Sequence, residues 1–150
     1  MKLELVFVGK TSERFLAEGI DLYLKKLQHY LPTEILIIPP AKINAPSIES
    51  ENILKRITPK DLVVLLDETG KQFSSVDLSK QMQKWMNQSL KKIVFITGGA
   101  YGVDEAIKRR ADFIWSFSKL TFTHQMIRLM LVEQLYRAMT IIRGESYHHE

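Results

Sequence analysis

The chain has 150 residues, enough for one domain with a hydrophobic core of its own. Apolar residues make up 45% and charged residues 25%, an ordinary globular balance; the absence of cysteine excludes disulfides, thiolate zinc sites and thiol catalysis. The net charge of +4 is compatible with an RNA partner without requiring one.

Residues 1–9 lack the apolar stretch and cleavage site of a signal peptide, and no run approaches the roughly 18 apolar residues of a membrane span, so a cytoplasmic protein with no membrane contact is expected. Residues 2–9 alternate and are rich in Leu and Val, which predicts a strand. A turn follows, with Ser12 as a candidate N-cap. Leu16, Ile20, Tyr23, Leu24 and Leu27 then recur at helical spacing, and Leu31-Pro32 ends that helix. Residues 34–38 predict a second strand, 41–46 a loop, and 47–57 a helix capped by Ser47. Residues 61–66 predict a buried strand with a loop at 67–71. Ser74 or Ser75 caps a helix carrying Met82, Trp85 and Met86. A buried strand at 92–97 runs into Gly98-Gly99-Ala100-Tyr101-Gly102, followed by a short helix at 104–110, a strand at 113–116 and a loop at 117–123. The last helix spans about 124–142 and ends at Gly144.

Alternating strands and helices imply a single α/β domain, a mostly parallel sheet with helices on both faces. Ligands of such sheets bind at the carboxyl ends of the strands, which here carry three loops: 66–71, 98–102 and 117–122. The last helix is apolar around most of its circumference. Such a helix needs burial on more than one side; a two-fold homodimer is the expected arrangement, and a central helix within a monomer is the alternative.

Several motifs keep a plain structural reading at this point. The Gly98–Gly99 turn can bring backbone close to a ligand but does not match the dinucleotide fingerprint. Gly70-Lys71 lacks the rest of a phosphate-binding loop. His124 suits capping or loop packing, and His29 a surface position. His148 and His149 have no third ligand at metal-site spacing, so no metal is expected. Glu133 and Arg137 stand four apart, the spacing of a helical ion pair. The guanidinium of Arg128, in an apolar helix, needs an acceptor, either a carboxylate or an RNA oxygen. Between residues 81 and 111, six basic residues (Lys84, Lys91, Lys92, Lys108, Arg109, Arg110) face only Asp104 and Glu105; they are either solvated helix ends or a phosphate-contacting face.

Three segments carry a resemblance: Thr121-Phe122-Thr123-His124-Gln125-Met126-Ile127-Arg128, Glu133-Gln134-Leu135-Tyr136-Arg137-Ala138 and Ile142-Arg143-Gly144-Glu145-Ser146-Tyr147-His148. Together they resemble the C-terminal signature of the RlmH family, small ribosomal RNA methyltransferases of the SPOUT superfamily. Val8-Gly9, Leu66-Asp67, Gly70-Lys71, Ser74-Ser75 and Gly98-Gly99 fall in the same order. Thr123 and Ser146 stand where the family usually or often has Pro, which would stiffen the chain there.

The resemblance implies a deep C-terminal trefoil knot and S-adenosylmethionine as cofactor, held by Leu66, Gly98, Phe117, Ser118, Lys119, Leu120, Thr121 and Phe122. It implies a homodimer that methylates N3 of a pseudouridine in large-subunit (23S) rRNA, with the ribosome rather than DNA as partner. His148, Tyr147 and Arg137 are the implied catalytic residues. N3 becomes nucleophilic only when its proton leaves, a step that suits histidine. A related enzyme acting on another RNA such as tRNA, or a non-enzymatic ribosome-binding factor, are the other readings.

Overall fold

The computed structural model describes residues 1–42, 46–100 and 102–149. Residues 43–45 of the expected 41–46 loop, Tyr101 of the glycine turn and Glu150 lie outside the described residues.

Among the described residues, five strands form one sheet: β1 (Lys2–Val8), β2 (Thr33–Ile38), β3 (Leu62–Gln72), β4 (Lys92–Thr97) and β5 (Phe113–Ser116). Every pairing between them is parallel, in the order β2-β1-β4-β3-β5. Among the described residues, five helices alternate with them: α1 (Arg14–Gln28), α2 (Pro46–Leu54), α3 (Ser75–Met86), α4 (Glu105–Arg110) and α5 (His124–Ile142).

The period-two side-chain alternation of the strands divides the core in two. Leu3, Leu5 and Phe7 of β1 and Ile93 and Phe95 of β4 point to the face covered by α1, α3 and α5. Val6, Val8, Val94 and Ile96 point to the other, with Ile53 of α2 and Ile107 of α4. Helices therefore cover both faces, and the inner strands are apolar on both sides, as the near-continuous Leu, Val and Ile runs anticipate. α5 packs against both α1 and α3, and none of its residues is fully exposed even in the single chain.

Local chemistry sets the ends of these elements. Ser12 does not cap α1: Glu13 stands at that position without a side-chain cap, and the Ser12 hydroxyl instead donates to Gln125 Oε1 on α5 at 3.2 Å. α2 starts at Pro46, whose fixed φ suits the first helical position, and ends at Leu54 rather than 57. Ser74 caps α3, accepting from the Asp77 amide at 3.0 Å. The largest change is at 67–71, expected as a loop. The strand resumes there, so that Leu66 and Lys71 both pair with Trp115 and the ladder bulges between them. Gly70 makes this possible, since a Cβ at that position would stand 2.5 Å from the backbone C and O of Ile114.

Candidate active site

The bulge of β3 and the carboxyl ends of β4 and β5 open into a cleft of about 310 Å³. Its walls come from that bulge, from the turn after β4, from the loop after β5 and from the first turn of α5. Leu66, Gly98, Phe117, Ser118, Leu120, Thr121 and Phe122 all line it. Lys119 does not; it is exposed beside the cleft.

Each wall has a local cause. β4 ends in a tight turn in which the Gly102 amide donates to the Gly99 carbonyl at 3.0 Å, with Gly102 at φ +78°. A Cβ at Gly98 would meet the Gly102 backbone at 3.1 Å, so any other residue there would make the turn give by a few tenths of an ångström. Asp104 then caps α4 through the Ala106 and Ile107 amides. After β5, Ser116 donates to the Ser118 carbonyl and Ser118 Oγ accepts from the Leu120 amide, each at 3.0 Å, which bends the 117–122 segment around the opening. Trp115 and Phe117 meet edge to face at 4.5 Å and form an aromatic wall. Thr123 caps α5 by accepting from the Met126 amide, which fixes where His124 and Ile127 enter the cleft.

The polar lining is distinctive. Among the described residues it includes Asp67 and Glu68 and no Lys or Arg. His124 is held below the usual histidine range, first by burial and then by the neighbouring Arg128 cation, so it is neutral near pH 7. Apolar walls, close backbone and a negative lining fit a ligand with a flat ring system and a cationic centre. Residue spacing did not single out His124 as a lining residue; its place directly after the 117–122 loop is the signal that could have. Among the described residues, no group of three or more His, Asp or Glu stands where it could hold a metal ion.

Arg128 is fully buried, and its acceptors are neither a carboxylate nor RNA. The guanidinium donates to the carbonyls of Val8 (2.6 Å) and Gly9 (2.9 Å) and to Thr11 Oγ1 (3.0 Å), and it lies 4.9 Å from the Phe7 ring centre. It therefore ties α5 to the carboxyl end of β1. Gln125, one turn earlier, does the same for the next residues, accepting from the Ser12 amide at 2.9 Å.

Arg137, Tyr147 and His148 form a second cluster at the other end of α5. Glu133 Oε1 accepts from Arg137 Nε and Nη2 and from the Tyr147 hydroxyl. Arg137 Nη1 lies 3.3 Å from His148 Nδ1, and its guanidinium stacks 4.6 Å over the Tyr147 ring. Glu133 raises the Arg137 pKa, chiefly by hydrogen bonding, so the guanidinium stays charged. The Tyr147 phenol is also pushed up, by burial first and then by hydrogen bonds to Tyr23 and Glu133. The tail folds back because Gly144 takes φ +68° and Tyr30 donates to Glu145 Oε2 at 2.7 Å.

The expected site residues are thus brought together in two groups. None of the tail cluster lines the cleft of its own chain. Arg137 follows Ile127 by ten residues of α5, about 15 Å at the helical rise.

A parallel α/β sheet with a cleft at the β3 bulge and the carboxyl ends of β4 and β5 is the class of α/β protein that takes a ligand at its strand ends. A family model described as "Predicted SPOUT methyltransferase" matches residues 1–148, and the chain belongs to this family of methyltransferases, enzymes that need a methyl donor. Proteins called ribosomal RNA large subunit methyltransferase H are similar over essentially their whole length. The one from Christiangramia forsetii is 47% identical over 99% of both chains. Those from Parabacteroides distasonis and Desulfitobacterium hafniense are 45% and 43% identical, over 100% and 99% of both chains.

Proposed function

We propose that this chain transfers a methyl group from S-adenosylmethionine to N3 of a pseudouridine in large-subunit rRNA. It acts as a two-fold homodimer on the assembled ribosome, in the cytoplasm. The observation that carries the cofactor half is the cleft, whose lining includes seven of the eight residues assigned to the donor. The shared name of the relatives supports the RNA half.

When bound, S-adenosylmethionine supplies a methyl group already activated by its sulfonium. The protein's task is then alignment and proton removal, and alignment can account for much of the rate. Leu66, Phe117 and Phe122 offer apolar contact for the adenine, and Gly98 and the 117–122 segment offer backbone polar groups. Asp67 and Glu68 give the negative lining that suits a cationic donor. Lys119, at the margin, would act only from outside the cleft.

On the acceptor side, His148 takes the N3 proton, Tyr147 packs on or hydrogen-bonds the base, and Arg137 meets a phosphate or the charge growing on a carbonyl oxygen. The separation of the two clusters along α5 supports a shared site. A two-fold arrangement with antiparallel α5 helices would bring the tail of one protomer to the cleft of its partner, and the half-buried Met126, Met130 and Ile141 supply an apolar surface for it. The reading includes the family's C-terminal knot, in keeping with the return of α5 to the end of β1 through Arg128.

Two measurements test the function. Calorimetry with S-adenosylmethionine should give binding, and absence of binding overturns the enzyme reading. Mapping methylated nucleotides on rRNA from a deletion strain should show loss at one pseudouridine, and a loss in tRNA instead overturns the substrate. For the base, pH–rate profiles of His148→Ala against wild type decide: an unchanged single-turnover rate at saturating ribosomes removes it from that role. For the shared site, a mixed dimer of a cleft variant and a tail variant should regain about one working site.

A further inference from the structure

Three of the six basic residues between 81 and 111 are engaged with neighbouring carboxylates and carbonyls. Lys92 lies between Glu4 and Asp61, at 3.6 and 3.5 Å, and Lys108 pairs with Glu105. Arg110 pairs with Asp112 and donates to the carbonyls of Thr58 and Asp61. These cations hold their own surroundings together.

Lys84 of that run belongs with two cations from outside it. Lys71, Lys80 and Lys84 are exposed, and among the described residues none of them forms an ion pair. They line one groove of about 400 Å³ between the end of β3 and α3, whose only carboxylate among the described residues is Asp77. Lys80 and Lys84 stand four residues apart on α3, so their amines project from the same face. Lys71 reaches in from the strand, its Nζ 5.7 Å from the Phe73 ring centre.

The opposite, inward face of the same helix joins the tail cluster through two hydrogen bonds. Ser75, in the first turn of α3, donates to Gln134 Oε1 at 2.8 Å, and Gln134 donates to Glu133 Oε2 at 2.8 Å. Glu133 is the residue that holds Arg137 and Tyr147. The donor cleft cannot serve a polyanion in the same way, because its lining is negative.

We propose that this groove is a docking surface for the RNA phosphate backbone flanking the methylated nucleotide, with Lys71, Lys80 and Lys84 as its contacts. The proposal rests on the reading above that the acceptor is ribosomal RNA. Flexible ammonium groups without a fixed fork suit phosphates, which position a complex, rather than base edges, which specify it.

The test compares Lys80→Gln/Lys84→Gln with wild type, using ribosomes from a strain lacking the enzyme. The expected result is a slope of log affinity against log salt that is shallower by about 2, about 1 for each lysine. KM for ribosomes should rise roughly tenfold at physiological salt. The affinity for S-adenosylmethionine and the single-turnover rate at saturating ribosomes should stay at wild-type values, and Lys80→Arg/Lys84→Arg should restore the salt slope. An unchanged slope and KM in the Gln variant, with wild type methylating normally, overturns the groove and leaves the methyltransferase reading standing. A wild-type protein that binds S-adenosylmethionine but methylates no ribosomal RNA overturns that reading and the groove with it.

Discussion

Arg137 grips one oxygen of Glu133, Oε1, with two nitrogens, Nε at 3.1 Å and Nη2 at 2.5 Å. The same oxygen accepts from Tyr147 at 2.9 Å, so one carboxylate fixes two of the three residues assigned to the acceptor. Glu133→Gln replaces an anion with an amide that cannot balance the guanidinium. The variant should lose about 1–3 kcal/mol of stability from the weakened partly buried network. Turnover should drop tenfold or more as Arg137, Tyr147 and His148 lose their mutual geometry. Hydrogen exchange over 145–149 and single-turnover rates measure the two effects. Donor affinity should not change, because the cleft lies at the other end of α5. A variant with wild-type exchange and rate would show that the carboxylate does not organise the tail.

Tyr30 tethers the same tail from α1. Its hydrogen bond to Glu145 is the leading cause of a phenol pKa pushed up to about 12. A tyrosine in the unfolded chain ionises near pH 10. Between these values the unfolded chain has released a proton that the docked tail retains. The contribution is fully present below pH 10 and is lost as pH rises through about 12. Tyr30→Phe should show less alkaline loss of tail protection across that window, with weaker protection at neutral pH. Exchange rates of the 144–149 amides against pH provide the comparison.

Arg128 tests how α5 is anchored. Its charge is fully buried and faces two carbonyls, a hydroxyl and the Phe7 ring, and burial lowers its pKa. An ammonium in its place cannot span the three acceptors, so Arg128→Lys is not a conservative change. Arg128→Ala leaves Val8 O, Gly9 O and Thr11 Oγ1 without their donor. Breaking such a buried charged network costs about 3–5 kcal/mol. At roughly 2–4 °C per kcal/mol for a chain of this size, Tm should fall by about 10 °C or more, and Arg128→Lys should lie between Ala and wild type. A Lys variant as stable as wild type would mean that the fork geometry is not what the site uses.

The fold was legible where period and composition act alone. Alternating Leu and Val runs mark the strands, and the Leu16, Ile20, Leu27 stripe marks the face of α1. The cleft's position followed from the rule that ligands sit at strand ends: the 98–102 and 117–122 segments line it as loops, whereas the 66–71 segment lines it as a bulge within β3. What sequence spacing could not reveal depends on contacts between distant residues. The partners of Arg128 lie more than 115 positions away on β1 and its loop, so no local window contains them. The resumed strand after Leu66 depends on how closely β5 approaches, which is set by tertiary packing. The separation of the tail cluster from the cleft was already implied by the helix expected over about 124–142, which α5 matches; what spacing could not reveal is how the tail folds back on that helix through Glu133 and Tyr30.

Gly70 ties the fold to the cleft. Its missing Cβ lets β3 pass within 2.5 Å, measured to the position a Cβ would take, of the Ile114 backbone. That approach brings Lys71 back into register with Trp115, after Asp67 and Glu68 have bulged out to line the cleft. Gly70→Ala puts a methyl carbon against backbone, which cannot turn aside as a side chain could. Overpacking of this kind costs about 1–3 kcal/mol. The strain should push β3 and β5 apart at the point where both feed the cleft. S-adenosylmethionine affinity should therefore fall roughly tenfold, about 1.4 kcal/mol in binding, while the Arg137–Glu133 end of α5 keeps its exchange protection. Calorimetry and site-resolved exchange separate local from global damage. Wild-type affinity in a folded Gly70→Ala protein would show that the bulge tolerates a side chain and that the cleft wall does not depend on this close approach.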